Sequence, residues 1–173
     1  MNELFKKDFY RMTKKKISMK NFLKYMLKQY EIRYLYFYRK KSLLGRYMTR
    51  RMRLKYGLEI FTKNIGEGLY IGHAYNITVN RNVVIGKNCN IHKGVTIGQE
   101  NRGKRKGTPI IGNEVWIGIN AVIVGNIKIG DNVLIAPNSY VNCNVPPNSI
   151  VMGNPCIIKK CDTATKDYIN NLV

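Results

Sequence analysis

Several things are scarce in this chain of 173 residues. It has ten acidic residues against thirty basic ones, two histidines, one tryptophan and four cysteines. No run of about 18 apolar residues occurs, so nothing in the sequence reads as spanning a bilayer. Lys6 and Lys7 are not followed by an uninterrupted apolar stretch, so a secretory signal is not expected. Cys89, Cys143, Cys156 and Cys161 show no CxxC spacing and read as reduced thiols in a cytosolic protein. The shortage of acid is uneven. Residues 1–57 hold 18 Lys/Arg against Glu3, Asp8 and Glu31, while the rest holds 12 against seven, so most of the formal +20 belongs to a basic leader.

The rest of the chain has a beat of six. Isoleucine or valine recurs at Ile65, Ile71, Ile77, Ile85, Ile91, Ile97, Ile111, Ile117, Ile123, Ile129, Ile135 and Val141, usually followed by a glycine or another small or polar residue. Six fits neither the 3.6 period of a helix nor the alternation of a strand. It fits a triangular coil in which each unit supplies one flat side and a corner, three units to a turn. The fifth slots (Leu69, Tyr75, Cys89, Val95, Val115, Ala121, Ile127, Val133, Ser139, Val145) are mostly small or apolar and are expected to share the interior. The beat breaks twice. Eight residues separate Ile77 from Ile85, which predicts a two-residue bulge between them. Fourteen separate Ile97 from Ile111, which predicts that residues 99–109 leave a corner as a basic, glycine-bearing loop.

Residues 1–57 lack the beat. Apolar residues from Phe22 to Met52 fall mostly three or four apart with Lys and Arg between them, so this segment reads as helices ended by Gly57. The division is then a basic helical region over 1–57, a coil over 58–158 and a tail over 159–173 expected to hold a short capping helix. Leader and tail would cover the coil's two ends, because each turn buries its interior only against its neighbours. Three uses of the leader's charge remain open: an amphipathic surface on anionic lipid, an acidic polysaccharide partner, or packing and oligomerisation with the charges solvated. Such charge would also bind nucleic acid non-specifically, but no recognition motif is present.

Histidine accepts a proton near neutral pH more readily than any other side chain. His73 follows Ile71-Gly72, and His92 follows Ile91. A turn of eighteen residues plus the two-residue bulge places residue 93 above residue 73, so the histidines would lie about one rung apart, near 4.8 Å. His73 reads either as a general base that takes a proton from a hydroxyl attacking a thioester, or as a surface corner residue. Two histidines fall short of the three a metal site on such a coil would want, so no metal is expected.

At Ile71-Gly72-His73-Ala74, Ile117-Gly118-Ile119-Asn120-Ala121, Gly125-Asn126-Ile127 and Gly153-Asn154-Pro155 the chain resembles the hexapeptide-repeat acyltransferases. The resemblance is to their serine acetyltransferase branch and, within it, to small sugar O-acetyltransferases of capsule and exopolysaccharide synthesis. It implies an all-β core, a left-handed parallel β-helix, a cytoplasmic homotrimer with sites between subunits, and acetyl-CoA as donor. The catalytic histidine would be His73, supported by Glu59 or, in reserve, Glu67. The donor would run past Gly98, Gly118, Ile119 and Ala136 toward Gly153, Asn154 and Pro155, with Lys104, Arg105, Lys106, Lys159 or Lys160 on its phosphates. His92, Arg105, Thr108 and Trp116 would meet the acceptor. Where serine acetyltransferases carry Asp just before the histidine this chain has Gly72, and where they carry Arg-His before a proline it has Gly107-Thr108. A sugar hydroxyl in polysaccharide synthesis is therefore the expected acceptor, with free serine as the alternative and a non-catalytic β-helical binding protein as the alternative of a different class.

Overall fold

A computed structural model describes residues 1–40 and 42–173. Four helices, α1 (Glu3–Thr13), α2 (Met19–Lys28), α3 (Tyr30–Arg39) and α4 (Leu43–Tyr56), precede the coil. Asn2, Ser18 and Ser42 cap the first, second and fourth by accepting backbone N–H groups. Gly57, at φ 66°, closes α4 with its N–H on the Arg53 carbonyl.

The coil then runs through β1 (Leu58–Ile60), β2 (Tyr70–Gly72), β3 (Ile77–Val79), β4 (Val84–Ile85), β5 (Asn90–His92), β6 (Thr96–Gly98), β7 (Ile110–Ile111), β8 (Val115–Ile117), β9 (Val122–Val124), β10 (Lys128–Ile129), β11 (Val133–Ile135) and β12 (Tyr140–Val141). A hairpin of β13 (Ser149–Met152) and β14 (Ile157–Lys160) closes it. Strands recur on three sides of a parallel β-helix. Side A holds β1-β3-β6-β9-β12, side B holds β4-β7-β10, and side C holds β2-β5-β8-β11-β13 with β14 antiparallel at its end. All twelve residues of the six-residue beat are buried, so the period reports the interior.

Two corners are built repetitively. Asn76, Gly94, Asn120 and Asn138 stand one above another, as do Asn88, Glu114, Asn132 and Asn148, each with positive φ; the Asn76 N–H donates to the Tyr56 carbonyl at the end of α4 and the others to the rung below. Asparagine tolerates the left-handed region better than most residues, which is why it recurs at these bends.

The extra pair of residues does not lie between Ile77 and Ile85, as the spacing suggested. Gly72 pairs with His92 and Thr78 with Thr96, so this corner spends six residues where the next rung spends four. The backbone ladder steps from Gly72, whose carbonyl takes the Lys93 N–H, to Tyr75, whose carbonyl takes the Gly94 N–H. The insertion is therefore His73-Ala74, and residue 93 stacks on Tyr75 rather than on His73. Ala74 turns inward and is fully buried, which leaves Tyr75 exposed although its slot was expected to be interior.

The leader is clamped onto the first turn through polar groups. The Asp8 carboxylate takes Arg39 Nε at 2.7 Å and the Leu69 N–H at 2.8 Å, both charged side chains being almost fully buried. Arg39 also donates to the Ile65 and Gly66 carbonyls. Arg11 donates to the Gly68 and Asn170 carbonyls and to the Asn90 side chain, tying together leader, coil and tail. The tail forms successive turns over 162–168 instead of the expected helix. Asn132 draws its chain aside by accepting from both the N–H and the hydroxyl of Thr165, and Asp167 and Asn171 have positive φ.

Candidate functional site

The edge where side C meets side A gathers most of the residues of interest. Gly72, His92, Gly118 and Ala136 follow one another up the register, because Ile71, Ile91, Ile117 and Ile135 pair in sequence. Ile119 lies at the adjoining corner, its carbonyl taking the Asn138 N–H. At the top, the Gly153 carbonyl accepts from Tyr140 N–H, so the turn carrying Asn154 and Pro155 caps this same edge, with both residues exposed. At the bottom, His73 projects from its inserted bulge, exposed and at φ 50°. Among the described residues ten other non-glycine residues share positive φ, seven of them at the two stacked corners, so the conformation marks a bend that turns the side chain outward. Buried Ala74 is the anchor that lets the bulge hold its neighbour outward.

His92 is the better enclosed of the two histidines. Its Nδ1 lies 3.1 Å from the Ile117 carbonyl oxygen, which can only accept, so Nδ1 carries the hydrogen and Nε2 keeps its lone pair. Burial pushes its pKa below the usual histidine value, against the Ile117 hydrogen bond, and the charge of His73 pushes it further down. The ring lies directly over Gly72: a Cβ there would sit 2.5 Å from His92 Cδ2 and 2.7 Å from Nε2. The absence of a side chain at residue 72 is thus what makes room for His92.

Trp116 packs beside His92, with ring centroids 4.7 Å apart, and Tyr168 of the tail stands edge-on to it at 5.0 Å. Together with Tyr70 and Arg11 they border a cavity of about 390 Å³ between leader, side C and tail. Among the described residues, no protein group pairs with His92 Nε2, the Trp116 indole N–H or the Tyr70 hydroxyl, whereas Asn90 is occupied by Arg11 and the Tyr168 carbonyl.

The second set of expected residues is elsewhere. Gly98 ends β6 on the edge between sides A and B, and the loop leaves from there, held by paired hydrogen bonds between Glu100 and Gly107 and by a short 3-10 turn at Gly103–Arg105. Lys104 and Arg105 are exposed on it, and the Thr108 hydroxyl donates to the Asn82 carbonyl. Side A in full separates these residues from His73. Gly98, Lys104, Arg105 and Thr108 therefore do not join His73, His92 and Trp116 within one chain.

Glu59 lies on side A, paired in register with Thr78, and is half-buried. Among the described residues neither Glu59 nor His73 takes part in an ion pair or side-chain hydrogen bond with the other. Glu67, the reserve, pairs with Lys7 at 2.6 Å and Lys87 at 3.2 Å. Lys159 is exposed on β14. No group of three or more His, Cys, Asp or Glu is placed to hold a metal among the described residues. Sequence reasoning did not find the cavity, because Arg11, Tyr70 and Tyr168 come from three separate parts of the chain; the one available signal was the lone tryptophan on an outward slot.

Residues 108–143 match the family described as bacterial transferase hexapeptide (six repeats). A serine acetyltransferase of Staphylococcus aureus is 38% identical over 124 residues, 71% of this chain and 58% of that protein. A serine acetyltransferase of Helicobacter pylori is 34% identical over 136 residues, 78% of this chain and 72% of that protein. The solved serine acetyltransferase of Neisseria gonorrhoeae superposes with a TM-score of 0.74 at 28% identity, over 92% of this chain and 66% of that one. The chain thus spans little more than half the length of the staphylococcal relative.

Proposed function

This chain belongs to the hexapeptide-repeat transferases, its relatives being serine acetyltransferases, and on that ground we propose that it is an O-acetyltransferase moving the acetyl group of acetyl-CoA to a hydroxyl. The observation that carries this reading is His73, an exposed imidazole turned outward on a two-residue insertion at the foot of the edge formed by Gly118, Ile119 and Ala136. Acetyl-CoA supplies the thioester. The acceptor oxygen forms its bond to the acetyl carbon as the carbon–sulfur bond breaks. His73 takes the hydroxyl proton and returns it to the departing sulfur, so an ester and a free thiol result. The edge from His73 to Asn154 and Pro155 climbs four rungs, about 19 Å at strand spacing, and offers a narrow bed for the pantetheine arm. Glu59 is proposed as the carboxylate that steadies His73 once substrates are bound.

Because the loop residues Lys104, Arg105 and Thr108 and the backbone at Gly98 stand on another edge, we assign them to the site of a neighbouring copy. A ring of three chains brings one chain's A/B edge against the next chain's C/A edge, so His73 and the basic loop of its neighbour would form one groove. Lys104 and Arg105 there would meet phosphate oxygens of the donor.

Serine is the acceptor that the names of the relatives support. A sugar hydroxyl, the acceptor expected from sequence, is a second reading, and nothing among those relatives favours it. What does favour it is local. His92 occupies the space that a side chain before the histidine would need. The cavity beside it presents aromatic faces together with an unpaired lone pair, an indole N–H and a phenol, a mixture suited to a ring with polar edges and apolar faces. Release of the free thiol from acetyl-CoA, measured with serine and with a panel of nucleotide-linked and free sugars, decides between them. Turnover with serine alone removes the sugar reading, turnover with sugars alone removes serine, and no thiol release with any hydroxyl acceptor removes the proposal.

A further inference from the structure

Helix α2 is apolar over a wider arc than the fold uses. At 3.6 residues per turn, Tyr25, Phe22 and Met26 form one part of that arc and pack on the core, Phe22 edge-on to Phe5 and Tyr25 edge-on to Phe9. Met19, Leu23 and Leu27 continue the same arc and are 74%, 53% and 80% exposed. Lys20, Lys24 and Lys28 border them on the far side, each one residue further along. Helix α4 repeats the device: Leu43, Tyr47 and Leu54 are exposed in a row with Arg50 and Arg51 on either side of it. Single exposed apolar residues are ordinary, but contiguous rows at helical spacing mark a surface that meets something.

Charge selects the occupant. From Phe9 to Tyr30 there are seven Lys/Arg and no acid, and from Ile32 to Leu58 nine and no acid. A second copy would bring the same charge against itself. Nucleic acid would satisfy the lysines and leave the leucines in water. A surface that is anionic outside and apolar just beneath satisfies both sets.

We propose that the outer face of α2 lies on an anionic lipid bilayer, with Met19, Leu23 and Leu27 entering the boundary between headgroups and acyl chains and the neighbouring lysines meeting lipid phosphates. Among the described residues no helix is long and apolar enough to cross a membrane, and contact of this kind runs along the surface. The proposal does not depend on the reaction assigned above.

The test is co-sedimentation of the full chain with vesicles of phosphatidylcholine with and without phosphatidylglycerol, alongside its mass by light scattering. The full chain binds the mixed vesicles, high salt weakens that binding, and it ignores phosphatidylcholine alone. Leu23→Glu with Leu27→Glu lowers partitioning at least tenfold. Lys20→Ala, Lys24→Ala and Lys28→Ala lower it about fivefold each. Because all five side chains are exposed or bordering the exposed row, the variants keep the parent's mass and far-ultraviolet spectrum. Equal vesicle binding by the leucine variant, a smaller assembly on making it, or charge-dependent binding to nucleic acid without binding to vesicles would each overturn the proposal.

Discussion

Along one edge of the coil, Gly72, His92, Gly118 and Ala136 rise one above another with His73 at their foot and an exposed turn at their head. The edge on the other side of side A carries instead a projecting loop with Arg102, Lys104, Arg105 and Lys106. The first edge is smooth and holds both of the chain's histidines, and the second is basic and holds neither. In the proposed function the first edge handles the proton and the donor's thin arm, and the second meets anionic groups. A single chain keeps the two edges apart by the width of side A, and under the proposed function a neighbouring copy would bring them together.

The different roles proposed for the two edges are tested most strongly at His73. His73→Ala should lower kcat/KM in thiol release by 10² to 10⁴, the usual worth of a general base, with the thermal midpoint unchanged because the imidazole is exposed. A loss below tenfold would show that the smooth edge does not hold the base. Next in size is the clamp that fixes the leader to the first turn. Asp8→Ala leaves the Arg39 guanidinium buried without its carboxylate and should cost about 3–5 kcal/mol in denaturant unfolding; a cost under about 1 kcal/mol would mean that the leader is held by its aromatic packing instead.

Smaller in effect and more specific to the two edges is complementation. Lys104→Ala with Arg105→Ala should raise the KM for acetyl-CoA about tenfold or more, as expected from the loss of charge-assisted contacts of roughly 1.5–3 kcal/mol. Mixing and reassembling these subunits with His73→Ala subunits should restore activity above the sum of the two, since some grooves then receive one intact half from each. Strict additivity would place the whole site within one chain.

The smallest effect reads His92. Trp116 is the only tryptophan, and a protonated imidazole 4.7 Å away quenches its emission. The midpoint of that quenching should lie below 6.5, since burial disfavours the charged ring. The unfolded chain takes that proton first as the pH falls. The contribution of His92 to stability is therefore intact above 6.5 and is lost as the pH drops from there through the depressed value. His92→Gln should abolish the transition, and a midpoint above 6.5 would mean that the ring is more open to water than the structure shows.

The sequence was legible where its residues repeat. Ile71, Ile91, Ile117 and Ile135 are interior because each turn presents the same slot to the same neighbours, and a period survives in the primary order. His73 was legible as a residue because histidine is scarce, yet its insertion was misplaced. The beat treats Ile77 as a leading slot, whereas pairing shows Val79 in that place opposite Ile97. Only hydrogen-bond register distinguishes the two, since both are buried aliphatics. The tail was misread because Asn132, thirty-three residues away from Thr165, competes for the hydrogen bonds a helix would have used.

Period, charge and scarcity are properties of primary order, and they carried the three-sided coil, the basic helical leader, the loop at 99–109 and a short roster of groups able to move a proton. Tertiary structure alone decided that His92 lies over Gly72, that Asp8 and Arg39 lock the leader, that Glu67 is already engaged by two lysines, and that the basic loop and His73 occupy different edges. Those outcomes depend on residues eighteen or more apart in the chain, some on the coil and some on the leader's helices, and side-chain contacts over that distance leave no periodic trace.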